Sequence, residues 1–300
     1  MKILELKKFY NIKEEKVEII VGKLSGFCPG VKNTIKKAEI ALKEKKEVYC
    51  LGEIIHNGQV IKSLENKGMI TVNNIEDIPN GENVIFRAHG EPEISYEKAE
   101  KKNLKIIDLT CGNVKIIHDK VKEKKENYFI IILGNKKHPE VIGTKGFSGK
   151  NSYVIESEDD ILDAYIECEK SNLRQVYIVS QTTFGDKEFE ELALEIEKNF
   201  VEFNIIKDKT LCNATEKRQK EVEEISKIVN SMVVIGGKHS ANSKELAKIS
   251  EKNCGQVYFV ETAEELKNAD FSGIEKVGVM AGASTPQKDI DDVINLLKEK

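Results

Sequence analysis

Three of the six cysteines stand where an apolar run gives way to a helical pattern. Cys111 follows Ile106-Ile107-Asp108-Leu109 and precedes Val114, Ile117 and Val121 at helical spacing, with Thr110 placed to cap. Cys28 follows the run from Val17 to Leu24 and is succeeded by Pro29, which suits a first helical position. Cys212 follows Phe203-Asn204-Ile205-Ile206 and opens into a helix over 214–229. A helix N-terminus favours a thiolate, so each position suits a metal ligand or a nucleophile. Any one of them alone reads more simply as a small buried residue at a tight turn. Three in matching positions predict three similar units, each turning one thiolate toward a common point. Three thiolates are too few for a closed zinc site and suit a cubane iron–sulfur cluster with one iron left open.

A second set of polar residues follows strand ends. His56 lies in Gly52-Glu53-Ile54-Ile55-His56-Asn57, His89 in Arg87-Ala88-His89-Gly90, and His138 in His138-Pro139-Glu140. His239 begins His239-Ser240-Ala241-Asn242-Ser243, and Ser284 lies in Ala281-Gly282-Ala283-Ser284. Four of the five histidines of the chain are in such turns. Each alone could bond its own backbone. Together, at helix N-termini, they are the donors that an anionic head group such as a diphosphate requires. Glu140 is either a capping carboxylate or a proton donor, capping being the simpler reading. Ser180-Gln181-Thr182-Thr183 adds hydroxyls at the end of another strand. Cys50, Cys168 and Cys254 sit in ordinary strand or helix contexts and read as structural.

These residues need a scaffold that presents many strand-to-helix turns on one side. The pattern supplies it, with strands over 17–24, 48–51, 83–87, 105–109, 128–133, 152–155, 175–180, 203–206, 231–236, 256–260 and 275–280. Helices over 30–45, 57–67, 93–102, 112–126, 139–147, 158–167, 186–199, 214–229, 242–252, 262–267 and 286–299 alternate with them. Such alternation implies α/β layers with mostly parallel sheets, which place ligands at the carboxyl ends of their strands. Lys+Arg 47 against Asp+Glu 51 leaves a net charge of −4 with the two signs interleaved, so nothing points to nucleic acid or a membrane surface. No apolar segment approaches a membrane span, and the charged N-terminus does not read as a signal peptide. The expectation is a cytoplasmic protein whose cysteines are ligands or buried thiols rather than disulfides. No GxGxxG follows a strand, and Gly143 to Asn151 is one residue too long for a P-loop and lacks its Ser/Thr.

Nine of these segments in order resemble the 4-hydroxy-3-methylbut-2-enyl diphosphate reductase (LytB) family, from about Val17 to the end of the chain. They are Gly26-Phe27-Cys28-Pro29-Gly30-Val31, Gly52 to Asn57, Ala88-His89-Gly90, Asp108-Leu109-Thr110-Cys111, His138 to Thr144, Gln181-Thr182-Thr183, Cys212-Asn213-Ala214-Thr215, Ser240-Ala241-Asn242-Ser243 and Ala281-Gly282-Ala283-Ser284. The resemblance implies three similar small α/β domains arranged with pseudo-threefold symmetry around a central [4Fe-4S] cluster held by Cys28, Cys111 and Cys212. It implies that the open iron binds the substrate's allylic hydroxyl. Two electrons and two protons then remove that hydroxyl as water, giving isopentenyl and dimethylallyl diphosphate. His56, His89, His138, Ser240, Asn242 and Ser284 would hold the diphosphate, Glu140 would be the proton source, and Thr182 would hold the hydroxyl. A ferredoxin or flavodoxin is the implied electron donor. Position 241 is alanine where the family often has serine, and position 239 is histidine where asparagine is common.

The expected organisation is an N-terminal extension over 1–16 and α/β units over 17–110, 111–208 and 209–300. Two other readings compete. A 2-hydroxyacyl-CoA dehydratase-like enzyme also sets a three-cysteine cluster on an α/β scaffold, but the His/Ser/Asn set suits a compact diphosphate better than a thioester on a long carrier. A non-enzymatic metal or cluster sensor has no use for Glu140 or the convergent histidines.

Overall fold

The computed structural model describes residues 17–45 and 47–300. Among the described residues twelve strands form three sheets of four, every pairing parallel. The first sheet has the order β3-β2-β4-β5, from β2 (Val48–Leu51), β3 (Met69–Val72), β4 (Asn83–Phe86) and β5 (Lys105–Asp108). The second runs β7-β6-β8-β9, from β6 (Phe129–Leu133), β7 (Ser152–Ile155), β8 (Gln175–Ser180) and β9 (Asn204–Lys207). The third runs β1-β12-β10-β11, from β10 (Ser231–Ile235), β11 (Val257–Val260), β12 (Lys276–Ala281) and the first of the described strands, β1 (Glu18–Val21). The expected α/β class with three similar units is what forms. The extension over 1–16 lies outside the described residues.

Parallel sheets must be covered on both faces, and the sequence meets that demand by alternation. In the second sheet, Phe129, Ile131 and Leu133 face one apolar cluster, whereas Ile130 and Ile132 face another built with Ile117 and Val121. The third sheet divides the same way, Val233, Ile235 and Val279 to one side, Met232, Val234 and Met280 to the other. Central strands such as β6 and β10 are buried throughout, while the edge strands β1, β5 and β9 are largely exposed or half-buried.

The helices that carry the site are α1 (Pro29–Glu44), α2 (Gly58–Glu65), α3 (Glu93–Lys101), α4 (Gly112–Lys124) and α5 (Pro139–Phe147). They continue with α6 (Ile161–Lys170), α7 (Asp186–Asn199), α8 (Asn213–Ser226), α9 (Ala241–Asn253) and α10 (Gln287–Glu299). No described helix is long and apolar enough to cross a membrane.

Three expectations are corrected. β1 pairs with β12, so residues 18–21 belong to the third sheet and not to the unit that begins at 17. β3 was not anticipated, because only one of its four residues is fully buried and no continuous apolar run marks it. The helices expected over 158–167 and 262–267 open or consist of 3-10 turns, each with a reciprocal capping box at Ser157/Asp160 and Thr262/Glu265.

Candidate active site

The three units share one plan, and each supplies two kinds of strand end. The two central strands of a sheet lead into loops that stay within the unit. These loops carry His56 and His89 after β2 and β4, His138 and Thr182 after β6 and β8, and Ser240 and Ser284 after β10 and β12. One edge strand of each sheet leads instead into the first helix of the next unit. β5 crosses to α4, β9 to α8, and β1 of the third sheet to α1 of the first unit. Cys111, Cys212 and Cys28 are the N-cap residues at these three crossings.

Backbone hydrogen bonds lock the two kinds of loop together. The Cys28 N–H donates to Ala283 at 3.1 Å, Cys111 to Ala88 at 2.9 Å and Cys212 to Thr182 at 3.0 Å. Each acceptor is a residue of the site or its immediate neighbour, so the cysteines and the polar loops are held in one register. All eleven residues singled out by sequence (Cys28, Cys111, Cys212, His56, His89, His138, Glu140, Thr182, Ser240, Asn242 and Ser284) line a single cavity of about 110 Å³.

At one end are the thiols. A Cβ placed on Gly30 would stand 2.9 Å from Cys111 Sγ and 3.7 Å from Cys28 Sγ, so both sulfurs lie against the same glycine. Cys28 Sγ accepts the N–H of Val31 at 3.4 Å, and Cys212 Sγ accepts Nδ2 of Asn113 at 3.0 Å. Burial, with Cys28 and Cys212 adding to it, raises the Cys111 pKa. Arg218, buried in α8, donates to Leu24 O and Gly26 O and leaves Nη1 buried without a partner. Three sulfurs at helix N-termini beside an unsatisfied buried guanidinium fit a group of net negative charge, as a thiolate-held iron–sulfur cluster is. Cys50 and Cys168 differ in kind, since burial pushes both thiols up to about 12.

At the other end three imidazoles meet, with ring centroids 4.4, 5.3 and 5.4 Å apart. Their nitrogens come within 4.8 Å of one another, close enough for a metal. The tautomers argue otherwise. His138 Nδ1 accepts the N–H of Glu140 at 3.2 Å, so its proton is on Nε2 and it presents a donor rather than a lone pair. His56 Nδ1 faces Glu53 at 3.2 Å. His56 Nε2, His89 Nδ1 and both side-chain atoms of Asn242 are buried with no partner. Such orphaned polar atoms are costly unless a ligand completes them. Burial lowers the pKa of all three histidines, His138 to about 3 and His89 well below its ordinary value. Mutual repulsion adds to this effect at His89 and His138.

Between the two ends stands Glu140, in the first turn of α5. It accepts the Thr182 N–H at 2.5 Å and the Thr182 hydroxyl at 2.8 Å. Burial raises its pKa from 4.5 to about 7 against those two bonds, so near neutrality it holds a proton that it can give up. Ser240 caps α9, and the Ser284 hydroxyl donates to His56 O at 3.2 Å, tying the third unit to the first. His239 stands apart from this cavity, exposed beside Lys137 and Lys244 at an adjoining opening.

Sequence reasoning overlooked Arg218, Asn113 and Arg87. Arg218 sits within Glu216-Lys217-Arg218-Gln219-Lys220, which looks like a solvated face, yet Thr215, Arg218, Gln219 and Val222 are all buried, and because three of these four are polar no apolar period marks them in the sequence. Arg87 lies 2.7 Å from Glu91, and its guanidinium fills the space over Gly52, whose φ of +71° and missing Cβ allow the approach. It thereby clamps the His56 loop to the His89 loop.

A family model described as LytB protein matches residues 19–298. The chain belongs to the LytB family. Among curated relatives, a 4-hydroxy-3-methylbut-2-enyl diphosphate reductase of Caldanaerobacter subterraneus subsp. tengcongensis is 41% identical over 294 residues, covering 94% of this chain and 97% of its own. The enzyme of that name from Aquifex aeolicus is 41% identical over 289 residues, at 94% and 96% coverage. A solved structure of the E-1-hydroxy-2-methyl-but-2-enyl-4-diphosphate reductase from Plasmodium falciparum matches with a TM-score of 0.86 at 30% identity, covering 94% of this chain and 88% of that one. A second, titled as the terminal enzyme of the non-mevalonate pathway, matches with a TM-score of 0.66 at 40% identity over 95% and 100%.

Proposed function

We propose that this LytB protein reduces 4-hydroxy-3-methylbut-2-enyl diphosphate to isopentenyl and dimethylallyl diphosphate in the cytoplasm, with electrons from a ferredoxin or flavodoxin. The observation that carries the reading is one cavity with three thiols at one end, orphaned histidine and asparagine atoms at the other, and between them a carboxyl whose pKa burial raises to about 7.

The diphosphate is received by His56, His89 and His138, with Ser240, Asn242 and Ser284 around it. The histidines are neutral in the free protein. An arriving dianion reverses the cost of their charge, so they take up protons as it binds. Fixing the diphosphate at that end orients the allylic carbon chain toward the cysteines, and such positioning can be worth several orders of magnitude in rate. Thr182 stands beside Glu140, where its hydroxyl steadies the leaving group while the Glu140 carboxyl supplies a proton to it. When bound at Cys28, Cys111 and Cys212, a [4Fe-4S] cluster supplies Lewis acidity at an iron without a protein ligand and a path for electrons. Arg218, Asn113 and the helix N-termini offset the negative charge collected there.

The test is anaerobic oxidation of reduced methyl viologen by iron-reconstituted protein. Oxidation that depends on 4-hydroxy-3-methylbut-2-enyl diphosphate is the expected result. An iron-loaded protein that ignores this substrate returns the question to the dehydratase and sensor readings.

A further inference from the structure

The three cysteines share a place in the fold but not a set of hydrogen-bond donors. An N-cap side chain ordinarily accepts the N–H of the second or third residue of its helix. Cys28 Sγ follows that rule, accepting the N–H of Val31, the third residue of α1, at 3.4 Å. Burial raises the Cys111 pKa, and the N–H groups of Asn113 and Val114, the second and third residues of α4, act against that rise. At Cys212 the corresponding N–H, that of Thr215, goes instead to the Cys212 carbonyl at 2.7 Å, and the Glu216 N–H joins it at 3.0 Å. The donor that α8 withholds from its cysteine comes from another helix. Asn113 Nδ2 stands 3.0 Å from Cys212 Sγ and is, among the described residues, the one donor that meets this sulfur. A thiolate has no proton to donate, so the amide presents its N–H to it and turns its oxygen away. Asn113 therefore acts on two of the three sulfurs, through its main chain on one and its side chain on the other. The residue is exposed, so no packing of the core depends on it.

We infer that Asn113 is a positioning residue that sets the reduction potential of the iron–sulfur group held by the three cysteines. The inference rests on the reductase reading above and assigns a control to its electron transfer. Reduction adds negative charge that spreads onto the sulfurs, so every N–H aimed at a sulfur favours the reduced form and raises the potential. Bonds to charged acceptors are the strong ones, and one such bond is enough to matter. The main-chain donors at Cys28 and Cys111 are fixed by helix geometry. The amide at Cys212 differs from them, because a single substitution can remove it, weaken it or replace it with a charge. With the amide in place, the group accepts an electron more readily and is a milder reductant once it holds one.

The test is a potentiometric titration of the iron-loaded chain with dithionite, followed by electron paramagnetic resonance, on wild type and on Asn113→Gln, Asn113→Leu and Asn113→Asp. Loss of the donor in Asn113→Leu lowers the equilibrium constant for one-electron reduction about tenfold, a shift of about 59 mV to more negative potential. Asn113→Asp sets an ionised carboxylate beside the sulfur and moves the potential further the same way. Asn113→Gln keeps an amide and recovers part of the loss. A residue that merely packs gives no such order. Equal potentials in wild type and Asn113→Leu would overturn the proposal, and so would a shift of opposite sign or equal shifts in the Leu and Asp variants. Failure of Asn113→Leu to load iron would overturn it as well, since the amide would then hold the group rather than tune it. A wild type that takes up no cluster removes its basis altogether. Wild-type protein inert with viologen and substrate, but with the ordered shifts intact, would sink the reductase reading and leave the role of Asn113 standing.

Discussion

The central strands and the edge strands of this protein end in loops that look alike in sequence and do opposite work. A central strand is flanked on both sides, and its loop returns to a helix of the same unit. The histidines, Thr182, Ser240 and Ser284 are on such loops, and each unit contributes a different set of them. An edge strand β5, β9 or β1 leads out of its sheet, and its loop crosses to the neighbouring unit. The cysteines are on these crossings, and all three units contribute the same residue in the same N-cap position. Threefold repetition thus suits a group that wants three equal ligands, while departures from it suit an unsymmetrical substrate.

Substitutions that strike only one of the two sets test this division. The largest effect is expected of Cys111→Ser, which removes one of the three proposed ligands. Iron content and thiolate-to-iron absorption collapse and substrate-dependent viologen oxidation falls to background, whereas product binding measured by calorimetry persists. A variant that retains iron and turnover would show that the crossings are not the ligand set.

Next is Glu140→Gln, expected to keep its iron and lose about 10²–10⁴-fold in kcat, the range for a general acid. The same variant reports on stability. The wild-type pKa of about 7 lies above the ordinary 4.5, so the stability linked to that proton is present at low pH and lost as pH rises through 7. Glutamine does not titrate, and the variant's Tm should therefore gain on wild type between about pH 5 and pH 8. A constant difference across that range would mean Glu140 is already ionised.

Gly30→Ala strikes the cysteine end alone, with a Cβ 2.9 Å from Cys111 Sγ. Iron reconstitution should be slower and less complete, with product affinity within about twofold of wild type. The smallest effect belongs to the histidine end. Product binding near neutral pH should take up about one proton, because the lowered histidine pKa values rise beside the anion. Affinity should then weaken as pH rises. Calorimetry in buffers of different ionisation enthalpy measures the uptake, and a value of zero would mean the imidazoles bind the head group neutral.

Much of this was legible because it is written in local pattern. Eleven of the twelve described strands show as apolar runs, and every residue singled out for the site lies between the end of a strand and the first turn of the helix after it, lining the cavity. What was not legible depends on pairing across long stretches of chain. That residues 18–21 join the third sheet follows from the register of Ile19 with Val277, and nothing near Ile19 announces it. β3 is short and only partly buried, so its identity comes from lying beside β2. Arg218 stands among charged residues and Arg87 at the end of the apolar run Val84-Ile85-Phe86, and only the folded chain shows that one is buried beside the thiols and the other lies over a glycine.

The bond from Cys28 N–H to Ala283 O has a consequence for the order of biogenesis. Cys28 is made before Cys111 and Cys212 but is held in place by a segment made after both, because β1 finds its partner in β12 and that strand ends at Ala281. Cys111 and Cys212 can be set as their own units fold, the former against Ala88 and the latter against Thr182, both already synthesised. The three thiols are therefore brought together only after β12 has been made, and any group they share is acquired after that point.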